Sequence, residues 1–203
     1  MNKYNPNTGN RRELPQRRSI RLKGYDYSQA GMYFITICCQ NRICRFGNIE
    51  NNKMVLNEYG KIAYDEWMKL SERFPNFELD VFQIMPNHIH GIITLVGATL
   101  AVARHDGNAH YDGNVHNDDN ARHDTDIRAG VNPTRTVGDI VGAYKSLVSN
   151  GCLEIYKSKN EIMGKLWQHN YHEHIIRNEK AYQTISKYIL NNPAKWAEDK
   201  FHK

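Results

Sequence analysis

Two strand-like segments meet at a two-residue turn, and this hairpin constrains the fold more than any other feature of the sequence. Residues 77–84 alternate between apolar and polar side chains, and residues 88–96 are rich in β-branched residues. The dipeptide Pro86-Asn87 between them predicts a tight turn. Strands joined by so short a turn pair as antiparallel neighbours. The sequence therefore predicts a sheet built around this hairpin.

The segments before the hairpin supply one strand and one helix. Residues 32–39 are β-branched and aromatic, which predicts a buried strand. Turns and a short hairpin are expected in residues 41–54, where glycine and paired asparagines occur. From residue 57 the apolar side chains recur at helical spacing, and Pro75 predicts the end of that helix.

The segments after the hairpin supply a helix, a strand and a final helix. Residues 136–148 carry an apolar face at helical spacing, and residues 166–176 predict a last strand with its approach. Asn178 can cap a final helix, which Pro193 ends because the residue before a proline resists the α conformation. The order β-α-β-β-α-β, with an extra C-terminal helix, predicts an α+β fold. We expect a ferredoxin-like, or RRM-like, sandwich with an antiparallel sheet.

Positive charge is concentrated at the amino-terminal end of the chain. Residues 1–23 contain seven lysine and arginine residues and one acidic residue, whereas the whole chain has a net charge of +5. A basic arm is typical of proteins that bind polyanions, most often nucleic acids. A solvated, disordered tail is the alternative interpretation. We divide the chain into this arm, residues 1–30, and a domain of residues 31–203.

The sequence contains no segment typical of a membrane or secreted protein. No run approaches the roughly 20 apolar residues that cross a bilayer, and residues 1–6 lack the apolar core of a signal peptide. The four cysteines form no CxxC pair, which predicts reduced thiols and no zinc knuckle. These features predict a soluble, cytoplasmic protein without a membrane partner.

Residues 97–135 interrupt the domain with a different composition. Asp, Asn, His and Gly dominate in a loose repeat, and large apolar side chains are few. Such a segment buries too little apolar surface to offset the ordering of its backbone, so we predict a disordered insertion. Its histidines and aspartates could instead bind metal ions weakly.

The strand after the turn carries two candidate metal ligands, and the last helix carries a third candidate ligand and a tyrosine. Side chains alternate across a strand, so His88 and His90 share one face and Ile89 points to the other. Tyr188 and Asn192 lie four residues apart, hence on one helical face. The asparagine carbonyl with two imidazoles would give an N,N,O set that leaves positions for water and substrate oxygens. A metal there would help the tyrosine hydroxyl to attack a phosphate and form a phosphotyrosine. Spacing alone does not select this chemistry, because an incidental His-x-His pair, a core tyrosine and a helix-capping asparagine give the same pattern.

The motifs occur in the order found in one family of DNA-processing enzymes. MPNHIHG at residues 85–91 resembles the HUH motif, histidine–hydrophobic–histidine, of single-strand DNA transposases and nucleases. The residues WQ at 167–168, HIIRN at 174–178 and YILNNP at 188–193 resemble the C-terminal signature of the REP-associated tyrosine transposases. These proteins are relatives of the one-tyrosine insertion-sequence transposases. The resemblance covers most of the chain and is interrupted only by the insertion.

The resemblance implies a chemistry and a role for each motif residue. It places the metal, Mg²⁺ or Mn²⁺, on His88, His90 and Asn192, and it makes Tyr188 the nucleophile. Family members cleave single-stranded DNA beside short palindromic hairpins and leave a 5′-phosphotyrosine and a free 3′-hydroxyl. The REP-associated members are thought to act as monomers, whereas insertion-sequence relatives form dimers that swap the tyrosine helix. We therefore expect a monomer or a homodimer.

Further residues are candidates for contacts with hairpin and single-stranded DNA. In the basic arm these candidates are Arg17, Arg18, Arg21 and Lys23. Arg177 and Asn178 open the final helix, where backbone N–H groups suit a phosphate, although simple capping also explains Asn178. His172 and His174 form a second His-x-His pair, for which a structural or DNA-contacting His174 is favoured over metal binding.

Three functions are compatible with these motifs. The first is a metal-dependent transesterase that acts on single-stranded DNA, and the second is a domesticated hairpin-binding protein that does not cleave. The third, a relaxase or replication initiator, is disfavoured by the short chain and its late single tyrosine. Among the rival nucleophiles, Tyr144 is predicted to lie in the core, and Tyr182 has no good polar ligand four residues on.

Overall fold

The computed structural model describes residues 24–96 and 135–202. The arm candidates Arg17, Arg18, Arg21 and Lys23 lie outside the described residues, as does the predicted insertion except for its last residue. Within the two described ranges, no helix combines the length and the apolar composition needed to cross a bilayer.

Seven strands and four α-helices follow one another along the described chain. The strands are β1 (Gly31–Cys38), β2 (Gly47–Glu50), β3 (Lys53–Leu56), β4 (Phe77–Glu78), β5 (Phe82–Met85), β6 (His88–Leu95) and β7 (His172–Ile176). The α-helices are α1 (Glu58–Met68), α2 (Leu70–Arg73), α3 (Val137–Ser158) and α4 (Glu179–Asn191). Short 3₁₀ helices occupy Gln40–Arg42 and Pro193–Glu198.

The main sheet has five strands, and all of its pairs are antiparallel. β6 lies between β1 and the β4–β5 segment, and β1 lies between β6 and the edge strand β7. β2 and β3 form a separate hairpin between β1 and α1. This arrangement confirms the predicted α+β, ferredoxin-like order of elements with its extra C-terminal helix. It also confirms that the segments flanking Pro86-Asn87 pair as antiparallel neighbours.

One face of the sheet packs against α1 and α3. The rings of Trp67 and Tyr144 meet edge to face at 5.2 Å, and the Tyr144 hydroxyl donates to the Ala63 carbonyl at 2.8 Å. Ile89 belongs to this core, as the alternation along the strand predicts. Gly91 leaves room for the indole, because a Cβ there would lie 2.5 Å from Trp67 Cζ2. The core therefore supports β6 on the side opposite to its two histidines.

The other face of the sheet carries α4 and a C-terminal tail, residues 193–202. Ile189 of α4 packs with Ile92 and Ile176 in a small apolar cluster on the sheet. Asn178 caps α4, since its Oδ1 accepts a hydrogen bond from the Ala181 N–H at 2.9 Å. The tail turns back over β6, so the histidine face lies between α4 and the tail.

The predicted single strand over residues 77–84 is wrong, because the structure divides it into β4 and β5. Asp80 lies in the break and accepts hydrogen bonds from the Val81 N–H, the Thr94 hydroxyl and the Tyr182 hydroxyl. These bonds connect the break to β6 and to α4. The helix predicted after residue 57 is likewise divided, at Lys69, into α1 and α2.

Residues 24–30, which the sequence assigned to the basic arm, contact the domain. The rings of Tyr25 and Tyr27 lie 6.5 and 6.1 Å from the ring of Tyr33 in β1. The Tyr27 carbonyl accepts a hydrogen bond from the Val137 N–H at the start of α3. The boundary at residue 30 stays a prediction.

Candidate active site

β6 places His88 and His90 side by side beneath the tail. The two side chains are 0% and 1% exposed, and their rings lie 4.4 Å apart. The Phe201 ring lies 4.5 Å from the first imidazole and 5.8 Å from the second. Burial, with the positive charges of Lys200 and Arg42, lowers the pKa of His88 to about 3. Burial also holds the pKa of His90 well below its ordinary value, so both rings are neutral at pH 7 and can bind a cation.

Asn87 determines which nitrogen of His88 carries the proton. The Asn87 Nδ2 donates to the carbonyls of Arg42 at 3.0 Å and Phe201 at 2.8 Å, so its Oδ1 can only accept. His88 Nδ1 lies 2.9 Å from this oxygen and must therefore donate to it. The lone pair is left on Nε2, a buried atom without a hydrogen-bond partner in the described part of the chain. His88 thus offers a desolvated ring nitrogen, as a metal ligand requires.

His90 connects the sheet to the tyrosine of α4. Its Nδ1 lies 2.9 Å from Thr36 Oγ1, and its Nε2 lies 3.1 Å from the Tyr188 hydroxyl. With its proton on Nδ1, the neutral ring accepts a hydrogen bond from Tyr188. The Phe34 ring stands edge-on to Tyr188 at 6.2 Å and restricts its orientation. The candidate nucleophile is therefore in direct contact with one of the two motif histidines.

The Tyr188 hydroxyl is protonated at neutral pH. Burial raises its pKa, the negative charge of Asp199 raises it further, and a hydrogen bond with Asn192 acts in the opposite direction. A neutral phenol is a poor nucleophile. Attack by this hydroxyl therefore requires a group that neutralises charge at the electrophile.

The end of α4 and the tail carry two candidate oxygen ligands, Asn192 and Asp199, which are hydrogen-bonded to each other. Asn192 is 2% exposed, and its Nδ2 donates to Asp199 Oδ2 at 2.9 Å. Its Oδ1 is buried without a hydrogen-bond partner among residues 24–96 and 135–202. Ligand atoms of His88, His90 and Asp199 all lie within 4.8 Å of one another. Two imidazoles with carboxylate and amide oxygens suit a divalent cation, and the buried, unpartnered donor atoms fit one.

Asp199 is the member of this group that the sequence analysis missed. It lies seven residues after Asn192, beyond the end of α4, in a segment without helical or strand periodicity. Its Oδ1 accepts the Phe201 N–H at 2.7 Å, which helps to turn the tail back over the histidines. The sequence signal was weak, since it consisted of two adjacent acidic residues, Glu198 and Asp199, shortly after the predicted helix.

One comparison finds a relative by sequence, and another finds a solved structure with a similar fold. An uncharacterised protein of Haemophilus influenzae is 38% identical over 189 residues, which cover 93% of this chain and 94% of that protein. The chain belongs to the family of this protein. No protein-family model matches the chain. The chain is also similar to a solved structure of a REP-associated tyrosine transposase bound to a REP hairpin. The two superpose with a TM-score of 0.51 and are 19% identical, over 87% of this chain and 74% of that one. That likeness shows a shared fold.

A cavity of about 560 Å³ opens beside Tyr188, between α4 and the tail. Three lysines line it, Lys187, Lys195 and Lys200, together with the acidic residues Glu198 and Asp199. The lining therefore carries a small excess of positive charge. Clustered lysines beside a nucleophile raise the local concentration of anionic substrates such as nucleic-acid phosphates.

The predicted DNA contacts that lie in the described residues are at the edge of the sheet and the start of α4. His174 is exposed on β7, and Arg177 is exposed directly before the helix cap. Asn178 serves as that cap, in agreement with the simpler of its two interpretations. Their roles in DNA binding stay predictions, as do those of the arm residues.

The two rival tyrosines are engaged elsewhere. Tyr144 is fully buried and hydrogen-bonded to the Ala63 carbonyl, as expected of a core residue. Tyr182 packs against the small apolar cluster and donates to Asp80 Oδ1 at 3.0 Å. Tyr188 is the tyrosine whose hydroxyl reaches a motif histidine.

Proposed function

We propose that the protein is a metal-dependent, transposase-type endonuclease and strand transferase that acts on single-stranded DNA in the cytoplasm. The observation that carries the proposal is the 3.1 Å contact between the Tyr188 hydroxyl and His90 Nε2, beside a cluster of candidate nitrogen and oxygen ligands. A tyrosine held next to a candidate cation site is the arrangement that phosphodiester transesterification requires.

His88, His90, Asn192 and Asp199 would hold the cation, Mg²⁺ or Mn²⁺. The fit is supported by His88 Nε2 and Asn192 Oδ1, two buried atoms that lack partners within the described residues. A bound divalent cation supplies neutralisation of the negative charge on a phosphate oxygen. The chain itself supplies the orientation of the ligands, through Asn87 on one histidine and Thr36 on the other.

The covalent step exchanges one phosphoester bond for another. The Tyr188 oxygen attacks the phosphorus, a bond from phosphorus to the tyrosine forms, and the bond from phosphorus to the 3′-oxygen breaks. The hydroxyl loses its proton and the departing 3′-oxygen gains one, so protons balance over the step. The resulting 5′-phosphotyrosine keeps the energy of the phosphoester for later rejoining of the strand.

Palindromic, REP-like hairpins are the substrate that we propose. Support comes from the fold, which is shared with a transposase whose structure contains a REP hairpin. The lysines beside Tyr188 and the basic arm, with Arg17, Arg18, Arg21 and Lys23, are suited to the phosphates of such a hairpin. We propose that His174, Arg177 and Asn178 contact the adjoining strand. The active form would be a monomer or a homodimer.

A covalent-adduct assay tests this function. The protein is incubated with hairpin-bearing single-stranded DNA and Mn²⁺, and the products are separated on a denaturing gel. We expect a protein–DNA adduct with the wild type and none with Tyr188→Phe. Tyr182→Phe is the matched control, because it removes a hydroxyl from the same helix outside the candidate ligand set, and it should retain the adduct. An adduct formed by Tyr188→Phe, or none by the wild type, contradicts the proposal.

A second candidate function is hairpin binding without cleavage. It is favoured by one observation, namely that the Phe201 ring lies against both motif histidines and helps to shield them from solvent. This candidate predicts tight, salt-dependent binding that survives His88→Ala, with no strand scission in the presence of Mn²⁺. Scission that depends on His88 would exclude it.

A further inference from the structure

The face that carries the two motif histidines continues across the sheet to its edge. In the register of the central strands, His90 lies opposite Thr36, and Thr36 lies opposite His172. Phe34, two residues before Thr36 on the same face, lies opposite His174. Neighbouring strands are about 4.8 Å apart, so the backbone at His172 lies roughly 10 Å from that at His90. The second His-x-His pair is therefore aligned with the first.

A second cavity, of about 320 Å³, lies over this part of the sheet. Phe34, His172 and His174 line it on the sheet side, while Arg42 and Lys200 are among the residues that line it near the tail. Both histidines are exposed, and Phe34 is half-buried. Glu173 also lines the cavity, but its carboxylate oxygens are shielded from solvent. The volume falls at the lower end of the roughly 300–1,000 Å³ of small-molecule sites, which suits a ligand the size of one nucleotide.

The lining combines flat rings with two cations. Unpaired bases stack on aromatic and histidine rings, and arginine and lysine bind the phosphates of the same strand. Arg42 is held in place, because its Nη1 donates to the Lys200 carbonyl at 2.8 Å and its guanidinium lies 5.0 Å from the centre of the Phe201 ring. The Lys200 ammonium lies 4.9 Å from the same ring. Both charges are thus positioned on the tail side of the cavity.

The second cavity adjoins the cavity of the candidate nucleophile. The Phe34 ring lies 5.3 Å from His90 and 6.2 Å from Tyr188, so it separates the two spaces. Lys200 lines both cavities. A base on the Phe34 side would therefore be attached to a phosphate within reach of Tyr188.

We propose that the second cavity binds one unpaired nucleotide next to the phosphate that Tyr188 attacks. Phe34, His172 and His174 provide the surface on which its base stacks, and Arg42 and Lys200 attract its phosphate. The position of that phosphate rests on the proposed function. The nucleotide site itself rests on side chains outside the candidate ligand set.

Fluorescence of an oligothymidylate that carries one 2-aminopurine tests the site, with the full chain in metal-free buffer. Stacking in the cavity should quench the fluorescence on binding to the wild type. The double variant His172→Ala/His174→Ala should bind about 5- to 150-fold more weakly, the range for loss of a stacked base. Phe34→Leu, which keeps an apolar side chain, should change affinity in the same direction. Lys200→Gln should reduce the slope of log affinity against log salt concentration by about one, the value for one lost phosphate contact.

His169→Ala is the matched control, since it removes an exposed imidazole that does not line the cavity. It should bind like the wild type. We call His172→Ala/His174→Ala and Phe34→Leu the ring variants. Absence of quenching with the wild type, or wild-type affinity in both ring variants, overturns the nucleotide site.

The adduct assay on the same proteins separates this proposal from the proposed function. If the wild type forms no adduct while the ring variants still lose oligothymidylate binding, the cleavage function fails and the nucleotide site stands. If the wild type forms the tyrosine adduct while the ring variants bind normally, the nucleotide site fails and the cleavage function stands.

Discussion

Replacing Asn87 with alanine removes three hydrogen bonds next to the candidate ligands. The side chain accepts from His88 Nδ1 and donates to the carbonyls of Arg42 and Phe201. Without the Asn87 oxygen, His88 can move its proton to Nε2, the atom that must bind the cation. We expect Asn87→Ala to bind Mn²⁺ about 10- to 100-fold more weakly, the range for loss of the hydrogen-bond partner of a metal-bound histidine. This corresponds to about 1.4–2.7 kcal/mol of binding free energy.

Asn87→Asp separates the two roles of this side chain. A carboxylate still accepts from His88 Nδ1, but it offers no donor to the two carbonyls that Nδ2 serves in the wild type. The aspartate variant should therefore keep most of the Mn²⁺ affinity. Both variants should lower the free energy of unfolding, by about 1–3 kcal/mol, because buried carbonyls lose their donor.

Isothermal titration calorimetry with Mn²⁺ measures the affinities, and circular dichroism verifies the fold of each variant. Asn76→Ala is the control, because Asn76 is also buried and donates to a backbone carbonyl, that of Arg135, at the opposite end of β6 from His88. Its Mn²⁺ affinity should equal that of the wild type. A folded Asn87→Ala protein with wild-type affinity would refute the reasoning about the His88 proton. An equal loss in Asn76→Ala would attribute the effect to general destabilisation.

Three further predictions concern the surroundings of the site. The metal-free protein should lose stability as the pH falls from about 6.5 towards about 3, because His88 has a pKa near 3 when folded and near 6.5 when unfolded, so the unfolded chain binds more protons. This group should cost up to about 1.4 kcal/mol of unfolding free energy per pH unit, measured as a fall in the urea midpoint. His88→Gln should reduce this dependence on pH, and the same dependence in the variant would contradict the assignment. Gly91→Ala should lower the free energy of unfolding by about 1–3 kcal/mol, because its Cβ collides with the Trp67 ring, and a wild-type urea midpoint would be evidence against this packing. Tyr188→Phe should bind Mn²⁺ at least as tightly as the wild type in calorimetry, since it frees His90 Nε2 from a hydrogen bond; weaker binding would show that the hydroxyl itself is a ligand.

The parts of the fold that the sequence predicted are those with a strong local pattern. Strand alternation placed Ile89 in the core and the two motif histidines on the opposite face, and the structure has this arrangement. Helical spacing identified Tyr144 as a core residue, and Asn178 was correctly assigned as the cap of α4. For the strand and for Tyr144, a periodicity of a few residues determines which side of the element is buried, whereas the cap follows from the residue type at the helix start.

The features that the sequence did not predict depend on contacts between distant segments. In the break between β4 and β5, Asp80 accepts hydrogen bonds from Thr94 and Tyr182, which are distant in the sequence. Asp199 and Phe201 reach the histidines only because the tail turns back over β6. No repeating pattern marks such a tail, and a single carboxylate or aromatic residue carries no information about its partner until the chain has folded.

The most direct test of the central claim is mass spectrometry of the protein after reaction with hairpin-bearing DNA and Mn²⁺. We propose that the Tyr188 oxygen, held 3.1 Å from His90 Nε2, is the atom that attacks the phosphate. We predict a peptide that contains Tyr188 and carries the added mass of a 5′-phosphorylated DNA fragment, with a free 3′-hydroxyl on the released strand. A DNA fragment attached to any other residue, or strand cleavage without a covalent adduct, would contradict the account.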